Sequence, residues 1–576
     1  MILQALTSLY EALAQKGEIS KEGWSREKIS FALGIDENGD LLRITPLFET
    51  VDMPKGKKKE EPQKMMVPIK VGNKSPKFLW GNSGFILGAA NDKTPEKAKE
   101  CFERNRQFHH QLLDKVDSPA AKAILNFFDG WEPEKTTENE LVAQYASELL
   151  GSANMVFRFN GKFVHEIPEL SAAWQTHYGA AQTEKEQCLI TGMLDAIPET
   201  HPLIKGIQGA QSSGAALVSF NGPAFCSYNK LQNHNAPVGK YAAFAYTTAL
   251  NHLLADKSNV HRIGDASVVC WAENADKQYE DFAAEVFFGD NVDKSDEQRL
   301  SALRTSLKLL ADGLPCKEMD LDPDRKFYIL GLSPNAARIA VRFFYCDSFG
   351  KIAGNIYRHH ERLEIVRPSY DKFPILPLWK LLSATVNPNA KDKTPNAAMA
   401  GAVARAVFSG GRYPASLLEC TFLRIKAERS ITRERAAIIK AYYLRNPNEK
   451  CPKEVLTVSL NENSKNIPYT LGRLFSVYEE IQQAANPGIN TTIKDRYFGS
   501  AAAMPATVFP ILSNLAQKHL RKLSDAQRVY LDKKVMTLKS VLGEQYPAHM
   551  SLPEQGSFDL GYYHQTQARY TKKEDK

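Results

Sequence analysis

Residues 29–44, ISFALGIDENGDLLRI, decide the fold class of the N-terminal half. Ile29, Phe31, Leu33 and Ile35 alternate with other residues, Asn38-Gly39 supplies turn chemistry, and Leu42 and Ile44 resume the alternation, which is the pattern of a β-hairpin. Upstream, Ile2, Leu6, Leu9 and Leu13 recur at helical spacing, and MILQALTSLYEAL has neither a basic leader nor a cleavage site, so a core helix is expected rather than a signal peptide. Downstream, residues 52–66, DMPKGKKKEEPQKMM, mix Pro, Gly and dense charge, and read as a mobile loop. A second hairpin is expected at Asn160-Gly161 within MVFRFNGKFVHEI, with Val156 or Phe157 opposite Phe163 or Val164. LVSF, VVCWA and KFYILGL are strand-like, whereas KYAAFAYTTALNHLLA and the segment from about Asp296 to Leu310 look helical.

Past about residue 370 the sequence changes character. AAMAGAVARAVFSGG, ASLLECTFLRIKAERSITRERAAIIKAYYLRN, YTLGRLFSVYEEIQQAA and FPILSNLAQKHLRKL carry helical periodicity. The expected fold is α+β: a mixed α/β region with β-hairpins over 1–370, a helical connecting region over 371–450, and a C-terminal helical bundle over 451–576. The spacer Asn446 to Pro468, with Pro447, Pro452 and Pro468, marks the boundary of that last region.

At 576 residues the chain exceeds what one core usually holds, and 43% hydrophobic with 24% charged residues is an ordinary globular composition. A net charge of +7 requires any nucleic-acid site to be a local patch. The eight cysteines lie at least 30 positions apart, without metal or redox spacing, and imply a reducing cytoplasm. No apolar run approaches the ~20 residues of a membrane span. No GxxxxGK(S/T), HExxH or GxSxG motif is present, so no cofactor, metal or catalytic residue is expected. His109-His110 and His359-His360 are adjacent pairs that point to different faces and make poor joint ligands. The competing reading is a nuclease or hydrolase with an unrecognised Ser or His site, for which Ser83 in GNSG and Ser212-Ser213 in QSSG are the available serines.

From Thr200 to Ala255 there is no Asp or Glu, although the chain has 66 acids in 576 residues. The same stretch carries Gln208, Gln211, Asn221, Asn229, Gln232, Asn233, Asn235 and Asn251. Carboxamides offer donor and acceptor together, which suits base edges and phosphates; an uncharged core segment is the alternative. Asn235 precedes Ala236-Pro237 and a helical run, where it would cap a helix start that holds phosphate or one that is simply core. Arg338 and Arg342 share a face in either strand or helix, as a forked phosphate site or as partners of a distant carboxylate. Arg424, Lys426, Arg429, Arg433, Arg435, Lys440 and Arg445 make a basic helical stretch, and Lys518, Arg521 and Lys522 make another; both read as solvated faces or as a nucleic-acid track.

HPLIKGIQGAQSSGAALVSFN, AFCSYNKLQNHNAPVGKYAAFAYTTALN, FYILGLSPNAARIAVRFF, RAAIIKAYYLRN, YTLGRLFSVYEEIQ, RYFGSAAAMPATVFPILSNLAQKHLRKL and LPEQGSFDLGYYHQ together resemble the large subunit of the type I-C CRISPR interference complex, Cascade, of the Dvulg subtype. The resemblance implies a non-catalytic subunit that recognises the protospacer-adjacent motif on double-stranded target DNA, aids unwinding, and holds the displaced single strand while guide RNA pairs with the target. Its implied partners are the crRNA-bound backbone and crRNA 5′-end-binding subunits, small subunits, and a recruited helicase-nuclease. It also implies separate internal translation of the C-terminal part, beginning near Val455, Leu456 or Val458. FLWGNSGF resembles a family loop, with Trp80 where Cys is frequent, so Asn82, Ser83, Gln208, Gln211, Ser212 and Ser213, together with Asn221, Asn233 and Asn235, are the expected motif-contacting residues. Lys70, Lys74, Lys240, Arg338, Arg342, Arg433, Lys518 and Arg521 are the expected contacts to the DNA backbone.

Overall fold

The computed structural model describes residues 1–53, 57–69, 76–151, 153–180, 185–289, 297–371 and 373–570. They form two compact units: Leu6–Pro202 with Phe220–Ala249, here the N-terminal unit, and Met1–Ala5 with Leu203–Ser219 and Leu250–Lys576, the C-terminal unit. The class is α+β, with hairpins early in the chain and helices late.

In the N-terminal unit the strands are β1 (Trp24–Ile29), β2 (Phe31–Ile35), β3 (Leu41–Pro46), β4 (Phe48–Met53), β5 (Lys57–Pro68), β6 (Trp80–Asn82), β7 (Asn154–Phe159), β8 (Lys162–Phe163), β9 (Lys185–Gln187) and β10 (Leu194–Ala196). The main sheet runs β3-β2-β7-β6 with β8 against β7, and a second sheet runs β1-β5-β4. The first expected hairpin is β2–β3, with Leu33 opposite Ile44. Its turn is closed by the Asp36 carboxylate, which accepts from the N–H groups of Asn38 and Asp40 at 2.9 Å. Gly39 sits there at φ +87°, and a Cβ would lie 2.3 Å from the Phe127 nitrogen, so the position requires glycine on two counts.

The second expected hairpin is β7–β8, turned by Asn160 and Gly161, both at positive φ. Its register differs from the expected one: Arg158 faces Phe163, because the two-residue turn pairs the residues that flank it directly. Residues 57–66, expected within a mobile loop, are strand β5, paired to both β1 and β4. Met65 and Val67 supply the inward face, and earlier on that same face Glu61 pairs with Lys28 at 2.8 Å; the charges conceal a period-2 strand. Phe31, Leu33, Phe157, Phe127, Phe128 and Trp174 form the core beneath the helices Pro95–Leu113, Pro119–Gly130 and Pro168–Ala180.

The C-terminal unit opens with an antiparallel meander of β11 (His261–Ile263), β12 (Ala266–Ala272), β13 (Lys326–Asn335) and β14 (Arg338–Ser348). VVCWA and KFYILGL lie in β12 and β13 as expected. LVSF forms no strand; just before it Ala215 bridges to Ile204 and Ala216 to Arg338. Helices Phe349–Leu363, Ala397–Ser409, Ala415–Glu428, Arg433–Arg445, Ile467–Ala485, Ile493–Ala503, Pro505–Leu520, Asp525–Lys539 and Leu552–Tyr570 follow. One apolar cluster runs unbroken from Ile263 in β11 to Tyr563 in the last helix. Among the described residues, no helix is long and apolar enough to cross a membrane.

Candidate nucleic-acid interface

In the C-terminal unit, the loop between Leu203 and Ser219 stands on the edge of the β11–β14 sheet. Ile204 and Ala215 exchange backbone hydrogen bonds at 2.9 Å across its neck. Beyond the neck, Ala216 N–H donates to Ala337 O and Ile339 N–H donates to Ala216 O, both at 3.0 Å, fastening the loop to the β13–β14 turn. Asn251 clamps the other side, accepting from Lys205 N–H at 2.8 Å and donating to Leu203 O at 3.1 Å. That uses one of the eight carboxamides for structure. Gly214 makes the neck possible, since at φ +103° a Cβ would meet Leu203 Cβ at 2.8 Å.

The result is a rigid presentation of polar groups. Gln208, Gln211, Ser212 and Ser213 are all exposed. Gln208 is held by two contacts: its N–H donates to Ser267 Oγ at 3.4 Å, and its side-chain oxygen accepts from Arg262 Nη1 at 2.7 Å. Among the described residues the side chains of Gln211, Ser212 and Ser213 find no hydrogen-bond partner, and all three are exposed to solvent. With no carboxylate in the loop and Lys205 and Arg262 exposed beside it, the local field favours an anionic partner.

In the N-terminal unit, residues 220–235 form a second exposed, acid-free loop. Tyr228, Asn229 and Gln232 all have positive φ, at 54°, 58° and 46°. Three such non-glycine residues in five positions need external support. Asn235 gives it, accepting from Ser227 N–H at 2.8 Å and donating to Lys230 O at 2.9 Å and Gln232 O at 3.0 Å. Expected as a helix cap, Asn235 is instead the lock of this loop, and the helix Lys240–Ala255 begins five residues later. Asn233 is buried, its amide donating to Val238 O at 3.1 Å. Both amides are therefore structural, a correction to their expected place at the motif. What the loop presents is Asn221, Asn229, Lys230 and Tyr228, the last 96% exposed.

The remaining expected residues divide by burial. Trp80 is buried, its indole N–H donating to Pro68 O at 2.8 Å, so it is not a stacking surface. Ser83 is fully buried, and among the described residues neither its hydroxyl nor the enclosed side-chain oxygen of Asn82 has a hydrogen-bond partner. The same loop holds Leu79 at φ 62°, stabilised by its N–H donating to His109 Nε2 at 2.9 Å. Nδ1 of His109 bonds Asn105 O at 2.8 Å, and burial lowers its pKa to about 4, so this ring is a neutral structural strut. Among the described residues no three His, Cys, Asp or Glu converge as a metal-binding group.

Several expected phosphate contacts are not available as such. Arg342 sits where the β13–β14 register shifts and pairs with Asp265 at 2.6 Å, which is the distant-carboxylate alternative. The bulge also ends the simple alternation, with Val341 exposed between buried Ile339 and Phe343. Arg433 is buried, donating to Asp371 at 3.0 Å and to Phe373 O and Pro374 O. In the same helix Arg435 and Lys440 are buried on backbone carbonyls, so this helix is an interior element rather than a track for DNA. Lys240 is half-buried, its ammonium 3.6 Å from the Tyr178 ring centroid, and burial lowers its pKa. The side chains of Lys518 and Arg521 are exposed and pair with none of the described residues. Lys70 and Lys74 lie outside the described residues.

Sequence reasoning missed Arg262 and Tyr228. Arg262 carries no local signal, since its role depends on β11 lying beside the 203–219 loop. Tyr228 carries a weak one: an aromatic inside a turn-rich, acid-free run.

A family model described as CRISPR-associated protein (Cas_Csd1) matches residues 6–570, nearly the whole chain. No curated protein matches it.

Proposed function

We propose a role that starts from one premise: this chain belongs to the CRISPR-associated protein (Cas_Csd1) family. It acts as the non-catalytic large subunit of a type I-C crRNA-guided complex in the cytoplasm. There it recognises the protospacer-adjacent motif on duplex DNA, helps open the duplex, and stabilises the displaced strand beside crRNA-bound subunits. A recruited helicase-nuclease then cuts, and guide RNA supplies most of the sequence reading, as in other RNA-guided effectors.

The observation that carries this reading is the exposed, acid-free 205–213 loop with three polar side chains that bond none of the described residues. Phosphate contacts position a protein on DNA, and contacts to base edges specify the sequence. Gln208, Gln211, Ser212 and Ser213 suit the second task; Lys205 and Arg338, with Lys518 and Arg521, suit the first. The 220–235 loop, with Tyr228, adds a second surface that offers an aromatic face for an unstacked base.

The test is duplex binding by the assembled complex across salt and across a motif library. Alanine at Gln211, Ser212 and Ser213 together should cost on the order of 1 to 3 kcal/mol on the preferred motif and flatten the motif preference. Lys518→Ala should weaken binding alike on all sequences and reduce the salt slope by about 1. Metal-dependent cleavage of DNA by the isolated chain would instead favour the nuclease reading.

A further inference from the structure

Gln208 differs from its neighbours in having half of its carboxamide already committed. Arginine has five donors and no acceptor, so the atom facing Arg262 Nη1 at 2.7 Å is necessarily the amide oxygen. The guanidinium is itself anchored, Arg262 Nε donating to Gly264 O at 3.1 Å in the β11–β12 turn. Gly264 is at φ +62° with no room for a Cβ, which would lie 2.7 Å from Ala400 Cβ, so the anchoring carbonyl is fixed in place. On the other side, the Gln208 backbone is tied to Ser267 and followed by Gly209 at φ +80° against Pro334. The amide oxygen is thereby turned onto Arg262 with one of its two lone pairs taken, which leaves the NH₂, a donor only, as the group turned away from the clamp.

We propose that Arg262 is a positioning residue that makes Gln208 a donor-only reader, and that it thereby demands an A·T or T·A pair at the position Gln208 contacts. The inference rests on the DNA-contact reading above. An unclamped glutamine pairs with adenine through both its oxygen and its nitrogen in the major groove, and the clamp works against that geometry by holding the oxygen on Arg262. A lone donor in the major groove meets an acceptor on every base pair and discriminates poorly. In the minor groove it discriminates well: A·T and T·A both present only acceptors, whereas G·C interposes the guanine amino group. Gln208 then reports A·T against G·C without distinguishing A·T from T·A.

Base analogues test this on the assembled complex with duplexes carrying the preferred motif. Replacing adenine by 2,6-diaminopurine puts an amino group into the minor groove and should weaken binding roughly tenfold at one motif position. Placing inosine·C there, which lacks that amino group, should bind like A·T. Arg262→Ala frees the amide oxygen and should erase both effects. Gln208→Glu keeps the clamp but turns an acceptor outward, so the preference at that position should reverse toward G·C even as overall affinity falls. It also separates orientation from any loosening of β11. If diaminopurine and inosine have no effect at any position, or if Arg262→Ala leaves their effects intact, the inference is wrong. Should alanine at Gln211, Ser212 and Ser213 still weaken motif binding in that case, the DNA-contact reading survives; should it have no effect either, both fall together.

Discussion

Alanine at Gly472 is expected to destabilise the C-terminal unit by at least about 3 kcal/mol, the range of severe overpacking where the obstacle is backbone rather than a movable side chain. In the helix Ile467–Ala485 a Cβ on Gly472 would stand 2.0 Å from the carbonyl oxygen of Phe558 in the helix Leu552–Tyr570. Reciprocally, a Cβ on Gly561 would stand 2.1 Å from the Tyr469 oxygen. These paired glycines let two helix backbones touch, and Tyr469 OH to His564 Nδ1 at 2.9 Å and Arg473 Nε to Gln565 at 3.1 Å depend on that approach. Either substitution pushes the helices apart along their whole contact. The control is Gly499→Ala, on an exposed face of the helix Ile493–Ala503 with nothing within 4 Å, which should stabilise by about 0.5 to 1 kcal/mol through helix propensity. Thermal or urea unfolding of the three variants gives the comparison; equal effects of Gly472→Ala and Gly499→Ala would contradict the packing described.

Arg433→Ala should be comparably damaging, about 3 to 5 kcal/mol, because removing one partner of a buried ion pair strands the other. Arg433 meets Asp371 at 3.0 Å, Lys380 meets Asp371 at 3.3 Å, and Lys380 meets Glu434 at 2.8 Å. Burial works against the Asp371 carboxylate, yet the Phe373 N–H and the Arg433 guanidinium hold its pKa below the usual carboxylate value. Lys380 remains to neutralise Asp371 in the variant, which places the expected loss near the lower end. Arg433→Lys should not restore it, since one ammonium cannot reach Asp371 and the carbonyls of Phe373 and Pro374 together. Pairing Arg433→Met with Asp371→Leu should recover much of the loss, which a double-mutant cycle reads directly. Reduced DNA binding without reduced stability would contradict this and return Arg433 to the phosphate contacts.

What the sequence made legible follows from how local each cause is. The hairpins at Asn38-Gly39 and Asn160-Gly161 were readable because two adjacent residues dictate the turn. The late helices were readable from apolar periodicity. Strand β5 was not, because Lys57–Lys64 is dominated by charge and only Met65 and Val67 show the inward face. The helix Arg433–Arg445 deceived for a related reason. Its arginines and lysine are buried against carbonyls and carboxylates from residues 361 to 430, contacts that composition cannot reveal.

At the candidate interface, the lack of acids marked the right region but not the division of labour within it. Gln211, Ser212 and Ser213 face solvent, whereas Asn233, Asn235 and Asn251 have the same chemistry and spend it on backbone groups. Distinguishing a presenting amide from a bracing one requires knowing where the chain turns, and three residues of the 220–235 loop, Tyr228, Asn229 and Gln232, are non-glycine at positive φ, for which no sequence rule is strong.

The account depends on DNA meeting the 205–213 loop, and a photo-crosslinking amino acid placed at Ser212 in the assembled, guide-loaded complex addresses that contact most directly. Irradiation with end-labelled target duplex should give a crosslink mapping to the protospacer-adjacent motif, lost when the motif is changed. A probe at Ser212 that yields no DNA adduct, while probes elsewhere on the chain crosslink the motif efficiently, would contradict it.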